Sequence, residues 1–106
     1  MLHRYIMYPI TSLQRANAKA LGVTIKPSTV KTKKIDVFRN GVKQASIGGR
    51  RANGSFYKDF STYIKDDGLT EANKRRTLYR KRHAKEPKTT PRGVRTGSYY
   101  ADAILW

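Results

Sequence analysis

The stretch KIDVFRNGVKQASIGG (34–49) decides how this chain folds. Asn40-Gly41 stands between two β-prone segments, and a two-residue Asn-Gly loop suits a type I′ turn because both central residues accept positive φ. The stretch therefore predicts a β-hairpin. With Arg39 facing Val42, alternation puts Ile35, Val37 and Val42 on one face and Phe38, Ala45 and Ile47 on the other. Both faces would then be partly apolar, which implies a hairpin held between two layers, with an N-terminal helix and a later basic helix as the candidates. Gly48-Gly49 end the second strand.

Toward the N-terminus, TSLQRANAKALG (11–22) carries helix signals: Thr11 or Ser12 as N-cap, good helix formers through Leu21, and Gly22 where a C′ residue belongs. Leu13, Ala16, Ala20 and Leu21 form a narrow apolar stripe expected to dock on the core. VTIKPSTVKTKK (23–34) is polar and Pro-interrupted and reads as an extended basic connector. MLHRYIMYPI (1–10), with Leu2, Tyr5, Ile6, Met7, Tyr8 and Ile10, reads as a short strand or an arm.

Toward the C-terminus, RRANGSFYKDFSTYIKDDG (50–68) places Phe56, Tyr57, Phe60, Tyr63 and Ile64 at spacings of three and four, but its Gly, Ser and β-prone aromatics argue for a loop or a third strand. It is expected to be an aromatic-rich connection that fills the core, with base stacking as the rival role. Next comes a helix over 70–86, with Thr70 as N-cap, Asp66, Asp67 and Glu71 at its positive end, cations toward its other end, and Pro87 as its stop. Leu69, Ala72, Arg76, Tyr79 and His83 follow a three-four-three-four step, so Ala72 and Tyr79 mark the inward seam, with Leu78 beside it. Lys74, Arg75, Arg80, Lys81, Arg82 and Lys85 cover most of the remaining circumference, which with Arg76 makes seven cations in 74–85. Like-charge neighbours such as Arg76 and Arg80 cost a few tenths of a kcal/mol each, so an outside partner should offset them. The tail, 87–106, opens as a Pro/Gly/Thr-rich loop and ends in YYADAILW. Tyr99, Tyr100, Ile104, Leu105 and Trp106 must be covered, by docking on this chain's own hairpin or by insertion into a neighbour.

The expected fold is α+β: a small antiparallel hairpin or sheet packed with an N-terminal helix and a basic C-terminal helix, the apolar tail docked on the core. Its parts are an arm, helix and connector over 1–33, a hairpin-plus-helix core over 34–86, and a loop and tail over 87–106.

The 106 residues hold 23 Lys and Arg against seven Asp and Glu, a formal charge of +16. Such self-repulsion weakens a small fold at low salt unless counterions or a polyanion screen it. With no cysteine there is no disulfide framework, thiolate metal site or thiol nucleophile. The longest apolar runs are too short to span a bilayer, and the N-terminus lacks a secretory apolar region, so a soluble intracellular protein is expected.

Taken together and in order, ANAKALGVTIKPS, KKIDVFRNGVKQASIG, TYIKDDG, KRRTLYRKRH and GSYYADAILW resemble a family of small uncharacterised basic proteins recurring in nucleocytoplasmic large DNA viruses, the giant viruses. The likeness covers about Ala16 to Trp106. It implies a viral origin and a virion-associated role, in the particle or in the cytoplasm or nucleus of an infected cell. It implies no catalytic residues. GGRRANGSF (48–56) looks longer and more basic than the corresponding family turn.

Enzyme readings fare badly. The histidines are His3 and His83, the latter among cations, and two histidines without cysteine make a poor zinc site. Asp59, Asp66, Asp67 and Glu71 offer Mg²⁺ ligands for a nuclease, but helix-start acids have a simpler capping role. GGRRANG lacks the Lys-Ser/Thr of a phosphate-binding loop, although its backbone N–H groups with Arg50 and Arg51 could sit on a phosphate. No cofactor or metal is expected. Clustered cations on the helix, at Arg50-Arg51 and over 31–34 favour sequence-independent phosphate binding. No Cys/His finger or RNA-stacking signature is present.

Two functions follow from the sequence. One is a nucleic-acid-binding module, for DNA first, using the seven cations of 74–85 with Arg50 and Arg51. The other is a minor capsid or cement protein whose basic faces meet acidic surfaces of virion proteins; a ribonucleoprotein component is a third option.

Overall fold

A computed structural model describes residues 7–106, so most of the expected N-terminal strand or arm lies outside the described residues. The fold is α+β: the described residues form four α-helices, the last continuing into a π turn, and a three-stranded antiparallel sheet. The hairpin is present, with β2 (Ile35–Arg39) and β3 (Val42–Ile47) joined by Asn40 at φ 52° and Gly41 at φ 77°. Positive φ at both turn positions is what type I′ geometry requires. A strand precedes them: β1 (Thr24–Pro27) pairs antiparallel with β2, Ile25 opposite Val37. The expected connector is therefore part of the sheet. Val23 and Ile25 are buried while Thr24 and Lys26 face solvent, and Pro27 ends an edge strand, where its missing N–H breaks little.

The pairing of the hairpin differs from simple alternation. Arg39 faces Val42 and Phe38 faces Lys43, but Val37 faces Ala45, so Gln44 is an extra residue and β3 carries a bulge. One inserted residue reverses the facing of everything beyond it. Ile35, Val37, Ala45 and Ile47 consequently share the inner face, and Val42, expected there, is 62% exposed. Only this face meets the apolar core, which also contains Tyr8, Ala18, Val23, Ile25, Tyr100, Ile104 and Leu105. The other carries Asp36, which accepts from the Ser28 and Ser46 hydroxyls at 2.6 and 2.7 Å. The two-layer expectation thus gives way to a sheet with one apolar face and one polar face.

Helix α1 (Ser12–Ala20) starts at Thr11 in a reciprocal capping box with Gln14 and is followed by Gly22 at φ 74°. Its buried face is not the alanine-leucine stripe. Gln14 and Ala18 are buried, whereas of the stripe Leu13, Ala16 and Ala20 are exposed and Leu21 alone packs against the core. Polar side chains turn inward because they have partners there: Gln14 reaches Tyr8 and Asp59, and Asn17 Nδ2 donates to the Ile104 carbonyl at 3.1 Å.

The aromatic connection also differs from expectation, for it holds helix α2 (Phe60–Asp67). Asp59 caps it, accepting from Thr62 N while its own N–H donates to Thr62 Oγ1. The spacing of Phe60, Tyr63 and Ile64 was the correct signal, and the cap outweighs the β-prone composition. Gly68 at φ 88° turns the chain into α3 (Leu69–Arg82), which starts at Gly68 rather than Thr70 and stops at His83, before 86. Asp66 and Asp67 therefore end α2, where Lys58 pairs with both, and Glu71 alone occupies the first turn of α3. On α3, Ala72 is buried and Arg76, Tyr79 and His83 are half-buried, as the inward step requires, but Leu69 and Leu78 are exposed. Helix α3 packs on α2 rather than forming a second layer over the sheet.

The tail is helical. Helix α4 (Gly97–Tyr100), capped by Thr96, runs into a π turn over Ala101–Leu105. It packs against β3 and α1 of its own chain, burying Tyr100, Ile104 and Leu105 and leaving Tyr99 and Trp106 half-buried. Core residues come from each of 1–33, 34–86 and 87–106, so the three segments share one core.

Candidate nucleic-acid interface

One buried polar node fixes the helical hairpin against the rest of the molecule. Asp59 Oδ2 accepts from the Tyr8 hydroxyl, from Gln14 Nε2 at 3.2 Å and from Lys34 Nζ at 3.1 Å, with side chains of Lys34 and Asp59 only 2% and 0% exposed. Gln14 Nε2 also donates to the Tyr8 oxygen at 2.7 Å. Burial, followed by the Asp59 charge, pushes the Tyr8 phenol far above its usual range. Burial pulls the Lys34 ammonium below its usual value against the pull of Asp59. Gly48, at φ 84°, lies over the Lys34 stem, where any Cβ would come within 2.6 Å of it. A glycine there is what lets Lys34 pass inward.

The nine cations expected at the interface divide into two groups. Five are occupied within the fold. Arg76 lies 3.5 Å from the centre of the Phe60 ring, and burial, with Arg80 nearby, lowers its guanidinium below the usual value. Arg80 Nε donates to Asp102 at 3.0 Å, and Arg75 Nε to Glu71 at 2.9 Å. Arg50 and Arg51 lie over Phe56 and Tyr57, at 4.2 and 4.4 Å. In the loop they flank, the N–H groups of Arg51, Gly54, Ser55 and Tyr57 donate within the loop or to Gly49. The other four, Lys74, Lys81, Arg82 and Lys85, stand exposed with no hydrogen bond or ion pair among the described residues.

Acidic groups are fully engaged. Asp36 pairs with Lys43, Asp59 with Lys34, Asp66 and Asp67 with Lys58, Glu71 with Arg75, Glu86 with His83 and Asp102 with Arg80. These seven carboxylates thus engage five of the 23 Lys and Arg and one histidine. Burial alone would raise the Asp36 carboxyl, but Ser28, Ser46, the Thr29 N–H and Lys43 together hold it below its usual value. The candidate Mg²⁺ ligands do not converge, and no group of three His, Cys, Asp or Glu comes together among the described residues. Nor is any helix among them long and apolar enough to cross a membrane.

The sequence did not disclose a cleft of about 840 Å³ between the tail, the 48–58 segment and one face of α3. Arg75, Tyr79 and Arg82 lie on that face at steps of four and three. Trp106 stacks on Tyr79, with ring centres 4.6 Å apart and planes 10° apart, and His83 lies 4.3 Å from Tyr79. Burial, with Glu86 and Asp102 nearby, pushes the Tyr79 phenol up to about 12, so the ring stays neutral at physiological pH. The spacing of Arg75, Tyr79 and Arg82 was legible, but Trp106 reaches the site only through the fold of the tail. Comparison with protein-family models, curated proteins and solved structures gave no match.

Proposed function

We propose that the chain is a non-enzymatic, virion-associated nucleic-acid-binding module that holds phosphates through the exposed cations of α3. The observation that carries this reading is the complete internal use of the acids. Six of the seven carboxylate side chains are paired with a Lys or Arg and the seventh, Glu86, is bonded to His83, so the rest of the positive charge has no intramolecular complement. A polyphosphate supplies that complement, and the release of its condensed counterions supplies affinity without base readout. The motif resemblance to giant-virus proteins gives the setting, a particle that packages DNA.

The test is a salt titration of duplex binding by the intact chain and by a Lys74→Gln/Lys81→Gln/Lys85→Gln variant. These three positions are chosen because none holds the fold together, unlike Arg75, Arg76 or Arg80. The logarithmic salt slope should fall by about 0.9 for each side chain that contacts phosphate. Binding indifferent to salt would overturn the reading. A cement or minor capsid role would rest on the same surplus charge against acidic protein, since the tail is covered by its own chain, and it predicts assembly contacts without duplex affinity.

A further inference from the structure

The cleft beside α3 has a composition that phosphate binding alone does not require. Rings of Tyr57, Tyr63, Tyr79 and Trp106 line it together with His83, drawn from the 48–58 loop, α2, α3 and the tail. Cations stand among them: Lys33 and Arg82 without an ion pair among the described residues, and Arg51, Lys58 and Arg75, which also hold contacts within the fold. Its two acids already have partners in place, Asp67 paired with Lys58 at 3.2 Å and Glu86 bonded to His83, with Ser98 donating to Glu86 at 2.8 Å. An anion entering the cleft therefore meets no unpaired carboxylate.

We infer that this cleft binds unpaired nucleotides, the bases stacking on its rings and the linking phosphates meeting its cations. The inference rests on the phosphate-binding reading and adds the state of the strand. Base–aromatic stacking tolerates any base because each has a π-face, and rings set within a cationic groove are the recurring means of holding single strands. Tyr57 suits this role because its side chain is 51% exposed at the cleft wall, with Arg51 placed over the ring at 4.4 Å. On the facing helix Trp106 stacks on Tyr79, and His83 lies against the same ring, tilted by 33°. A volume in the range of small-ligand sites, about 300–1,000 Å³, admits single nucleotides and excludes a double helix, whose base faces are in any case covered by their neighbours. Duplexes would meet only the outer cations of α3; single strands meet those and the rings.

Trp106 is the only tryptophan, so its emission reports on the cleft directly. The intact chain is titrated at fixed low salt with oligothymidylate, oligouridylate, an abasic strand with the same number of phosphates, and a duplex. Oligothymidylate or oligouridylate should quench Trp106 and bind about tenfold more tightly than the abasic strand. A preference for one of them identifies the natural sugar and supports the inference equally. Tyr57→Ala should remove most of that tenfold difference, with a thermal melt confirming that the variant is folded. Equal affinity with and without bases, or unchanged emission at saturation, overturns base stacking while leaving phosphate binding in place. Absence of binding to all four ligands overturns both.

Discussion

Lys34 and Lys81 carry the same ammonium group, yet Lys34 is 2% exposed against Asp59 and Lys81 stands in solvent on α3 with no ion pair among the described residues. Around Lys34, each polar atom has a named partner, and removing one strands the others. Around Lys81, neighbouring cations repel each other and nothing nearby compensates. Matching inside the molecule makes charge structural, while surplus outside makes it available. The two regions should therefore respond oppositely to mutation.

Asp59→Ala should produce the largest effect, a loss of about 3–5 kcal/mol in urea unfolding, because the Lys34 ammonium, the Tyr8 hydroxyl and the Gln14 amide lose their shared acceptor. Combining it with Lys34→Met should recover part of that loss, and strict additivity in the cycle would break the idea of a coupled node. Ile104→Ala should follow at about 3 kcal/mol, a buried apolar deletion that sets the scale for the tail in the same unfolding assay.

Asp36 provides a smaller and pH-dependent step, with Asp36→Asn costing about 1–2 kcal/mol near neutral pH. Because the folded carboxyl lies below its ordinary value of 3.8, the unfolded chain binds more protons between the two values. The Asp36 contribution is thus present above about 3.8 and disappears as pH falls through the folded value, so unfolding midpoints of the two proteins should converge there. A gap that stays constant into stronger acid would contradict this. Lys81→Gln should change stability least, by under about 0.5 kcal/mol, while weakening salt-dependent duplex binding. A stability loss as large as that of Asp59→Ala would erase the distinction between the two regions.

Local signals were legible where one turn or cap decides the outcome. Asn40-Gly41 made the hairpin, Thr11 and Gly22 bounded α1, and the Ala72, Arg76, Tyr79 and His83 step oriented α3. Signals that depend on distant partners were not. Gln14 and Asn17 face inward because Asp59 and Ile104 await them, and no helical periodicity records that. The bulge at Gln44 hid in a strand whose alternation looked regular on both faces. The seven cations of 74–85 were evident, but their division into occupied and unoccupied groups required Phe60, Glu71 and Asp102 in place. The ring-lined cleft needed the tail to bring Trp106 onto Tyr79.

The bond from Asn17 to the Ile104 carbonyl joins residues 87 positions apart. During translation, α1 and the sheet emerge long before the segment that covers them, so a ribosome-bound intermediate presents Val37 and Ile47 uncovered. Closure of the core therefore waits until Tyr100, Ile104 and Leu105 have been made.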